Sequence, residues 1–442
     1  MERRTDPMSN MPLSVFKNEI LGEEYRKYTH KSGLDIYIFP KKLSSAYAIF
    51  GTKYGSIHNS FRDENEQEWI TVPDGIAHFL EHKLFACEDG SDAFEHFSKY
   101  GADANAYTSF TKTCYLFSCT DNFESSLAEL LDFVTHPYFT EESIASEVGI
   151  IAEEIKMYDD SPSERCYYGM LEGMYESHSI RRNICGSEES ISMITPEMLY
   201  SIHKRFYSPE NMILVICGDV DDGCCLKIAD RCLSDFTASP VRTVMENENC
   251  KESKKAYKPY VEQHMQVSKP LFRMGFKDTD IPKDSSERQK KDITMTLLFD
   301  MLFSESCEFY LSLLESGLIS PSLSHGYTIS ESFAYGFLSG ESEEPRAVVK
   351  KVLDHIDAVR KQGLCESDFI RCKRVLYADA VRMFDSTEGI ANELFAFACD
   401  GTELLSYTDV IDGITLEDIK NSFEKAFSTE SMTLSVILPL KK

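Results

Sequence analysis

The distribution of apolar and polar residues predicts a chain in which short strands and helices follow one another. Apolar runs at 34–40 and 46–53 predict two strands near the start. A later run at 105–117, rich in β-branched and aromatic residues, predicts one or two more. Helical stretches separate these runs, and the second half of the chain interleaves strands and helices in the same way. We therefore expect each half to form a sheet with helices packed on it.

A segment near the middle of the chain is repeated near its end. Residues 193–216 predict a helix, a turn and a buried strand, with Thr195 as the cap and Pro196 in the first helical turn. Residues 413–436 align with this segment without a gap, at a constant offset of 414 − 194 = 220. The identical pairs are Ile194/Ile414, Thr195/Thr415, Glu197/Glu417, Ser208/Ser428, Glu210/Glu430, Met212/Met432 and Leu214/Leu434. An offset near half of the chain length indicates an internal duplication.

The duplication predicts a mixed α/β (α+β) fold with two homologous sheet-plus-helices domains. The length of 442 residues agrees, because domains average roughly 150 residues. Proline and dense charge without periodicity mark the stretch 239–255 as linker sequence. We expect a first domain at 1–236, a linker at 237–262 and a second domain at 263–442.

The charge and the lengths of the apolar runs exclude some classes of binding partner. Lys and Arg number 46 against 73 Asp and Glu, a formal net charge of −27. Such a surface repels phosphate backbones and anionic lipid headgroups, so neither nucleic acid nor a membrane is an expected partner. No apolar run approaches the roughly 20 residues that span a bilayer, and no signal-peptide run follows Arg4. We expect a cytoplasmic protein whose fourteen cysteines are free thiols, because no CxxC spacing occurs.

Candidate chemistry begins in a helix predicted to extend from Asp74 to just before Gly90. His78 and His82 are four residues apart, so both imidazoles lie on one helix face and can bind one metal ion. Glu81 faces the same side and can act as a general base on a metal-bound water. The pattern His-x-x-Glu-His is the inverted form of the zinc-protease helix. The alternative is a surface helix with incidental histidines.

A catalytic zinc needs three protein ligands and an open position for water. Residues 147–157 predict a second helix on which Glu147 and Glu154, two turns apart, share a face. A carboxylate from this helix can complete a site of two histidines and one glutamate. By itself the segment is a weak signal, because acidic residues at helical spacing usually form a solvated face.

At this point the sequence resembles the pitrilysin/insulinase family of inverted zinc metallopeptidases, which includes the mitochondrial processing peptidases. The resemblance covers nearly the whole chain. It rests on four motifs in the family's order, at 78–82 (HFLEH), 101–109 (GADANAYTS), 147–154 (EVGIIAEE) and 194–219. The family is built from two homologous domains, and the resemblance implies that this chain forms half of a clam-shell chamber.

The resemblance also implies the roles of individual residues. His78, His82 and Glu154 are implied as zinc ligands, Glu81 as the base, and Glu147 as a carboxylate that orients the site. Glu153 is the rival third ligand, and the seven-residue interval from Glu147 favours Glu154. Asn105, Ala106 and Tyr107 are implied to form an edge strand on which a substrate peptide lies by β-augmentation.

The second half departs from the active pattern. The positions 220 residues after the motif fall within 294–303, which contains no His or Glu, so we expect no zinc there. Family members that work alone carry an Arg and a Tyr, seven residues apart, that contact the substrate backbone. Leu313 and Ser320 stand at those positions here. We therefore interpret the chain as the zinc-carrying subunit of a two-chain peptidase whose homologous partner supplies the pair; a misalignment of this stretch is the alternative.

The implied reaction is hydrolysis of a peptide bond in unfolded or small peptides, with Zn²⁺ activating a water and Glu81 moving its proton. Two alternatives stay open. One is a non-catalytic assembly subunit that keeps the fold without the chemistry. The other is a maturation peptidase dedicated to one leader peptide.

Overall fold

A computed structural model of the chain describes residues 13–238, 242–246 and 252–441. The strands are β1 (Leu13–Asn18), β2 (Glu23–Thr29), β3 (Asp35–Pro40), β4 (Ala46–Thr52), β5 (Ser60–Asp63), β6 (Ile70–Thr71), β7 (Asp103–Thr108), β8 (Thr113–Cys119), β9 (Met212–Gly218), β10 (Thr243–Met245), β11 (Tyr260–Met265), β12 (Leu271–Asp278), β13 (Ser324–Ile329), β14 (Ala334–Glu341) and β15 (Met432–Pro439). The helices are α1 (Ile76–Leu84), α2 (Ala93–Tyr100), α3 (Phe123–Thr135), α4 (Glu141–Asp159), α5 (Pro162–Met174), α6 (Glu188–Ile191), α7 (Pro196–Phe206), α8 (Asp222–Cys232), α9 (Ser285–Phe303), α10 (Glu308–Glu315), α11 (Pro345–Gln362), α12 (Glu366–Arg382), α13 (Thr387–Asp400), α14 (Tyr407–Gly413) and α15 (Leu416–Lys425).

The first sheet has seven strands in the order β1-β2-β3-β9-β4-β8-β7. Strands β3 and β9 run parallel, and the other neighbours run antiparallel. Strand β9 is buried at every position, which explains its unbroken apolar sequence. Strands β10, β5 and β6 form a separate small sheet.

The second sheet repeats five strands of the first. Its order is β11-β15-β12-β14-β13, which matches β3-β9-β4-β8-β7 strand for strand, again with one parallel pair, β11 and β15. The repeated helices α7 and α15 also start alike. Thr195 accepts a hydrogen bond from the backbone N–H of Met198, and Thr415 accepts one from that of Asp418. The mixed α/β fold with an internal duplication is therefore confirmed.

The chain divides into two compact units. The first contains the seven-stranded and three-stranded sheets with α1–α3, most of α4, α6–α8 and α13. The second contains the five-stranded sheet with α5, α9–α11, nearly all of α12, α14 and α15. Each unit thus includes one long helix from the other half of the sequence: α13 packs on β4 and β9, and α5 packs on β12 and β15.

A glycine in β4 and a glycine in β12 permit these helix contacts. A Cβ at Gly51 would lie 2.4 Å from the ring of Phe395 in α13, and one at Gly275 would lie 2.8 Å from Met170 in α5.

The two compact units are defined by which elements pack together, whereas the domain boundaries predicted above were placed from the sequence repeat. Those boundaries stay a prediction. Residues 239–241 and 247–251 of the predicted linker lie outside the described residues.

Most of the elements predicted near the start of the chain are present. The predicted strands at 34–40 and 46–53 are β3 and β4, and the run at 105–117 forms the hairpin β7–β8. The helix predicted to extend from Asp74 to Gly90 was too long, since α1 ends at Leu84. Phe85 leaves the helix and stacks on Phe94 of α2, with ring centroids 4.1 Å apart. Tertiary packing therefore ends the helix where no sequence breaker occurs.

Two further observations concern the described residues alone. None of their helices is both long enough and apolar enough to cross a membrane. None of their thirteen cysteines forms a disulfide. The remaining cysteine, Cys250, lies outside them.

Candidate metal site

Helix α1 carries the His-x-x-Glu-His motif, and its first turn is held by close backbone packing. Gly75 caps the helix at φ 89°, and a Cβ there would lie 2.4 Å from the carbonyl oxygen of Cys185. The Asn59 amide donates a hydrogen bond of 2.5 Å to the Asp74 carboxylate, and Ser190 donates one of 2.8 Å to the Asp74 carbonyl. The position of the helix is thus fixed by a contact that only glycine permits.

The two histidines lie side by side on this helix, with ring centroids 4.6 Å apart. His78 is buried, and burial together with the neighbouring His82 lowers the pKa of His78 to about 3. The imidazole of His78 is therefore neutral at pH 7, which is the form that binds a metal. The thiol of Cys185 lies 3.8 Å from His78 Nε2.

Glu147 of α4 holds two consecutive side chains of α1. His82 Nδ1 donates to Glu147 Oε1 at 3.1 Å, and Lys83 Nζ donates to Oε2 at 3.3 Å. Burial alone would raise the pKa of Glu147, but the His82 hydrogen bond and the Lys83 charge outweigh it and hold the pKa below its usual value. A histidine whose Nδ1 donates to a carboxylate presents Nε2 to a metal.

Glu154, also on α4, completes a group of three possible ligands. One donor atom from each of His78, His82 and Glu154 lies within 4.8 Å of the others, and in the described part of the chain this is the one such group. Donor atoms around a tetrahedral Zn²⁺ are about 3.4 Å apart, and the separations of at most 4.8 Å found here are close to that spacing. The residues present therefore fit a zinc ion. Glu153 is exposed and lies outside the group.

Glu81 lies on α1 between the two histidines and is buried. Its Oε2 accepts a hydrogen bond of 2.8 Å from Thr108 at the end of β7. Sequence reasoning missed this contact, although Thr108 belongs to the 101–109 motif. It also missed Lys83, which directly follows His82, and Cys185, which no sequence motif singles out.

Strand β7 carries Asn105, Ala106 and Tyr107 and lies at the edge of the seven-stranded sheet. It pairs with β8 on one side, and no described strand pairs with its other side. The Tyr107 side chain packs against the core, whereas Asn105 is exposed. The feature that β7 offers to an added strand is therefore its backbone rather than the Tyr107 ring.

The two positions at which the sequence predicts a missing Arg/Tyr pair have different surroundings. Leu313 is buried in α10. Ser320 accepts a hydrogen bond from Lys269 at 3.1 Å, and its backbone N–H donates to Glu341. An arginine at position 313 would point into the core and would not reach a substrate. The expectation of a partner subunit therefore rests on the residue types at positions 313 and 320, and not on the geometry of position 313.

Comparisons with known proteins identify the family of the chain. The sequence profile of the insulinase family (peptidase family M16) matches residues 70–188, and that of the peptidase M16 inactive domain matches residues 193–376. The chain is 38% identical over 412 residues to a Bacillus subtilis (strain 168) protein named as an uncharacterized zinc protease, YmfH, which covers 92% of this chain and 95% of that protein. The second profile falls largely on the half that lacks the histidine motif.

Two solved structures are similar to this one. An M16-like peptidase from Alicyclobacillus acidocaldarius has a TM-score of 0.89 and 30% identity, over 94% of this chain and 98% of that chain. A protease from Helicobacter pylori has a TM-score of 0.80 at 18% identity, over 94% of this chain and 100% of that chain, and this likeness shows the fold alone. The resemblance found in the sequence is confirmed, and the chain belongs to the insulinase family of peptidases, family M16.

Proposed function

We propose that this chain is a zinc-dependent endopeptidase acting on unfolded or small peptides. The observation that carries the proposal is the convergence of His78, His82 and Glu154 within 4.8 Å, with Glu81 on the same helix. Three protein ligands leave a position for water, whereas structural zinc sites are closed by four. Membership of the family and relatives named as zinc proteases support the assignment.

The proposed chemistry divides between the metal and the side chains around it. Zn²⁺ at this site would lower the pKa of a coordinated water and polarise a peptide carbonyl. Glu81 accepts the proton of that water and delivers it to the leaving amine. The hydrogen bond from Thr108 orients the Glu81 carboxylate, and Glu147 holds the Nδ1 side of His82, which would leave Nε2 available to a bound metal.

We propose that the substrate peptide pairs with the backbone of Asn105, Ala106 and Tyr107 as an added strand. The edge position of β7 supports this mode, because its outer N–H and C=O groups have no strand partner among the described residues. Only an extended segment can pair in this way, so folded proteins are excluded as substrates. Backbone pairing also makes recognition largely independent of sequence.

We further propose that a homologous partner subunit supplies the Arg/Tyr pair, and that the protein acts in the cytoplasm. The residues at 313 and 320, Leu and Ser, support the first statement. The match of the second half to the inactive domain also supports it. The net charge of −27, which disfavours binding to an anionic membrane surface, supports the second.

The test is a Glu81→Gln substitution measured for zinc content and for turnover of an unstructured fluorogenic peptide. Removal of the proton acceptor, with every ligand retained, is expected to lower turnover at least 1000-fold while zinc stays near one per chain. The matched control is Glu88→Gln, an exposed carboxylate just beyond α1, which leaves both unchanged. Near-normal turnover by a zinc-loaded Glu81→Gln protein would remove Glu81 from the mechanism. No turnover by the zinc-loaded native protein with its partner would favour the non-catalytic alternative.

A further inference from the structure

Directly after the second histidine of the motif, a lysine side chain is buried within the first unit. Lys83 lies in the last turn of α1, and its side chain is only 6% exposed. Lysine is among the residues least often buried, because removing an ammonium group from water costs free energy unless an opposite charge compensates it. The interior around α1 therefore has to supply a carboxylate for Lys83.

Glu147 of α4 supplies this carboxylate, and it is the same residue that binds His82. Lys83 Nζ donates to Glu147 Oε2 at 3.3 Å, whereas His82 Nδ1 lies 3.1 Å from Oε1. Both carboxylate oxygens are thus held from α1, so the carboxylate cannot rotate without losing one of the two contacts. The Glu147 side chain is 13% exposed, so water screens this ion pair only in part.

Three glutamates place negative charge around the two histidines of the motif. Glu154 is the candidate third ligand, and Glu147 is in contact with His82. Glu81 lies between the histidines on α1. Lys83 compensates one of these three carboxylates, and it does so at an oxygen that belongs to no candidate ligand. Lys83 therefore lowers the negative charge near the metal position without taking up a coordination position.

We propose that Lys83 is a positioning residue that sets the charge of the candidate metal site. It holds Glu147 against His82, and its ammonium group lowers the affinity of the site for a divalent cation. This role rests on the proposed function, because it concerns the same zinc site.

Two effects of the Lys83 charge act in the same direction. A positive charge repels Zn²⁺ directly, and charges in a partly buried site are screened less than in water. A carboxylate that accepts a hydrogen bond from a metal-binding histidine raises the basicity of that ligand. Because Glu147 is shared with Lys83, it raises the basicity of His82 less. Weaker binding thus leaves the metal more of its charge for polarising a peptide carbonyl.

The experiment measures the zinc dissociation constant of the full chain by competition with a chromophoric chelator, with no substrate present. Lys83→Gln keeps an N–H donor for Glu147 and removes the charge, so it is expected to tighten zinc binding at least tenfold. Lys83→Arg keeps both the charge and the donor and is expected to bind zinc like the native protein. The matched control is Lys99→Gln, which removes an exposed lysine of α2 and is expected to leave the constant unchanged.

Lys83→Met, which has neither charge nor donor, is the second variant if Lys83→Gln does not fold, and it is also expected to tighten zinc binding. Unchanged or weaker binding by a folded variant without the charge would overturn the role given to Lys83. Equal tightening by Lys83→Arg would overturn it as well, because the charge would then not be the cause. If neither the native protein nor any variant binds zinc, the proposed function fails together with this role. Zinc binding by the native protein that loss of the charge leaves unchanged overturns the role of Lys83 alone.

Discussion

At the scale of single residues, the choice between Glu153 and Glu154 as third ligand depends on the direction in which each side chain points from the axis of α4. Neighbouring residues of an α-helix point about 100° apart, so Glu153 and Glu154 cannot face the same side. Glu154 is two turns from Glu147, the residue that binds His82 and Lys83, and its donor atom joins those of the two histidines. Two adjacent carboxylates therefore have different surroundings for a geometric reason.

This difference predicts opposite effects of the same substitution. Glu154→Gln removes an anionic oxygen donor and is expected to weaken zinc binding at least 100-fold and to abolish peptide turnover. Glu153→Gln changes an exposed side chain and is expected to leave both near the native values. Elemental analysis after dialysis against a weak chelator distinguishes them. Zinc loss from the Glu153 variant with retention by the Glu154 variant would reverse the assignment.

At the scale of elements, the position of α1 depends on two glycines that meet before its first turn. Gly75 and Gly186 both have positive φ, and a Cβ on Gly186 would lie 2.4 Å from the carbonyl oxygen of Asp74. Two backbone segments far apart in sequence therefore touch directly. Since His78 and Glu81 follow within two turns, a shift of this contact would move the candidate metal site.

Gly75→Ala is expected to lower the free energy of unfolding by about 2–4 kcal/mol, through left-handed strain and the collision with the Cys185 carbonyl. Zinc affinity is expected to fall at least tenfold. The matched control is Gly90→Ala, at φ 83° with no heavy atom within 4 Å of the added Cβ, which costs only about 1 kcal/mol and leaves zinc binding unchanged. Urea unfolding and zinc titration measure both, and equal losses in the two variants would contradict this account of α1.

A buried ion pair within the second unit gives stability a predictable dependence on pH. The side chains of Glu252 and Lys277 have no exposed surface, and their charged atoms lie 3.1 Å apart. Glu252 also accepts hydrogen bonds from the backbone N–H groups of Ser177 and His178. Burial alone would raise the pKa of Glu252, but these contacts outweigh it and lower the pKa from 4.5 to about 2. The folded state therefore holds the proton less tightly than the unfolded state.

A carboxylate whose pKa is lower in the folded than in the unfolded protein stabilises the folded state at pH values above its unfolded-state pKa. This stabilisation is lost as the pH falls through the folded-state pKa. Glu252→Gln is expected to lower the free energy of unfolding by about 3 kcal/mol at pH 7, because Lys277 loses its buried partner. This difference from the native protein is expected to shrink as the pH falls from 4.5 toward 2. Exposed Glu343→Gln is the control, and a difference constant with pH would exclude this origin.

At the scale of the whole molecule, one half of a duplicated chain carries the candidate chemistry and the other half lacks the corresponding residues. The two halves share a strand order, yet 294–303 contains no His or Glu. Positioning of a substrate contributes on the order of several kcal/mol to a hydrolytic barrier. A chain that activates water without clamping the substrate is therefore expected to be a slow enzyme alone.

We expect the purified chain to bind zinc but to show little peptide turnover until a homologous chain with the Arg/Tyr pair is added. Titration with such a partner, itself without His-x-x-Glu-His, is expected to raise turnover by at least 100-fold. Leu313→Arg is not expected to replace the partner, because Leu313 is buried and an arginine there destabilises α10. Full turnover by a demonstrably pure single-chain sample would identify a self-sufficient peptidase instead.

The family, the duplication and the helix that carries His78, Glu81 and His82 could be predicted from the amino-acid sequence alone, because they depend on local periodicity and on fixed spacing along one helix. Contacts between residues far apart in the chain could be read only from the tertiary structure. Aromatic stacking of Phe85 ends α1 at Leu84. Helix α5, from the first half of the sequence, packs on the second sheet, and α13, from the second half, packs on the first. The tertiary structure also brings Thr108 to Glu81 and Lys83 to Glu147. Spacing along a helix fixes direction within one element, whereas contacts between elements follow only from how the elements pack.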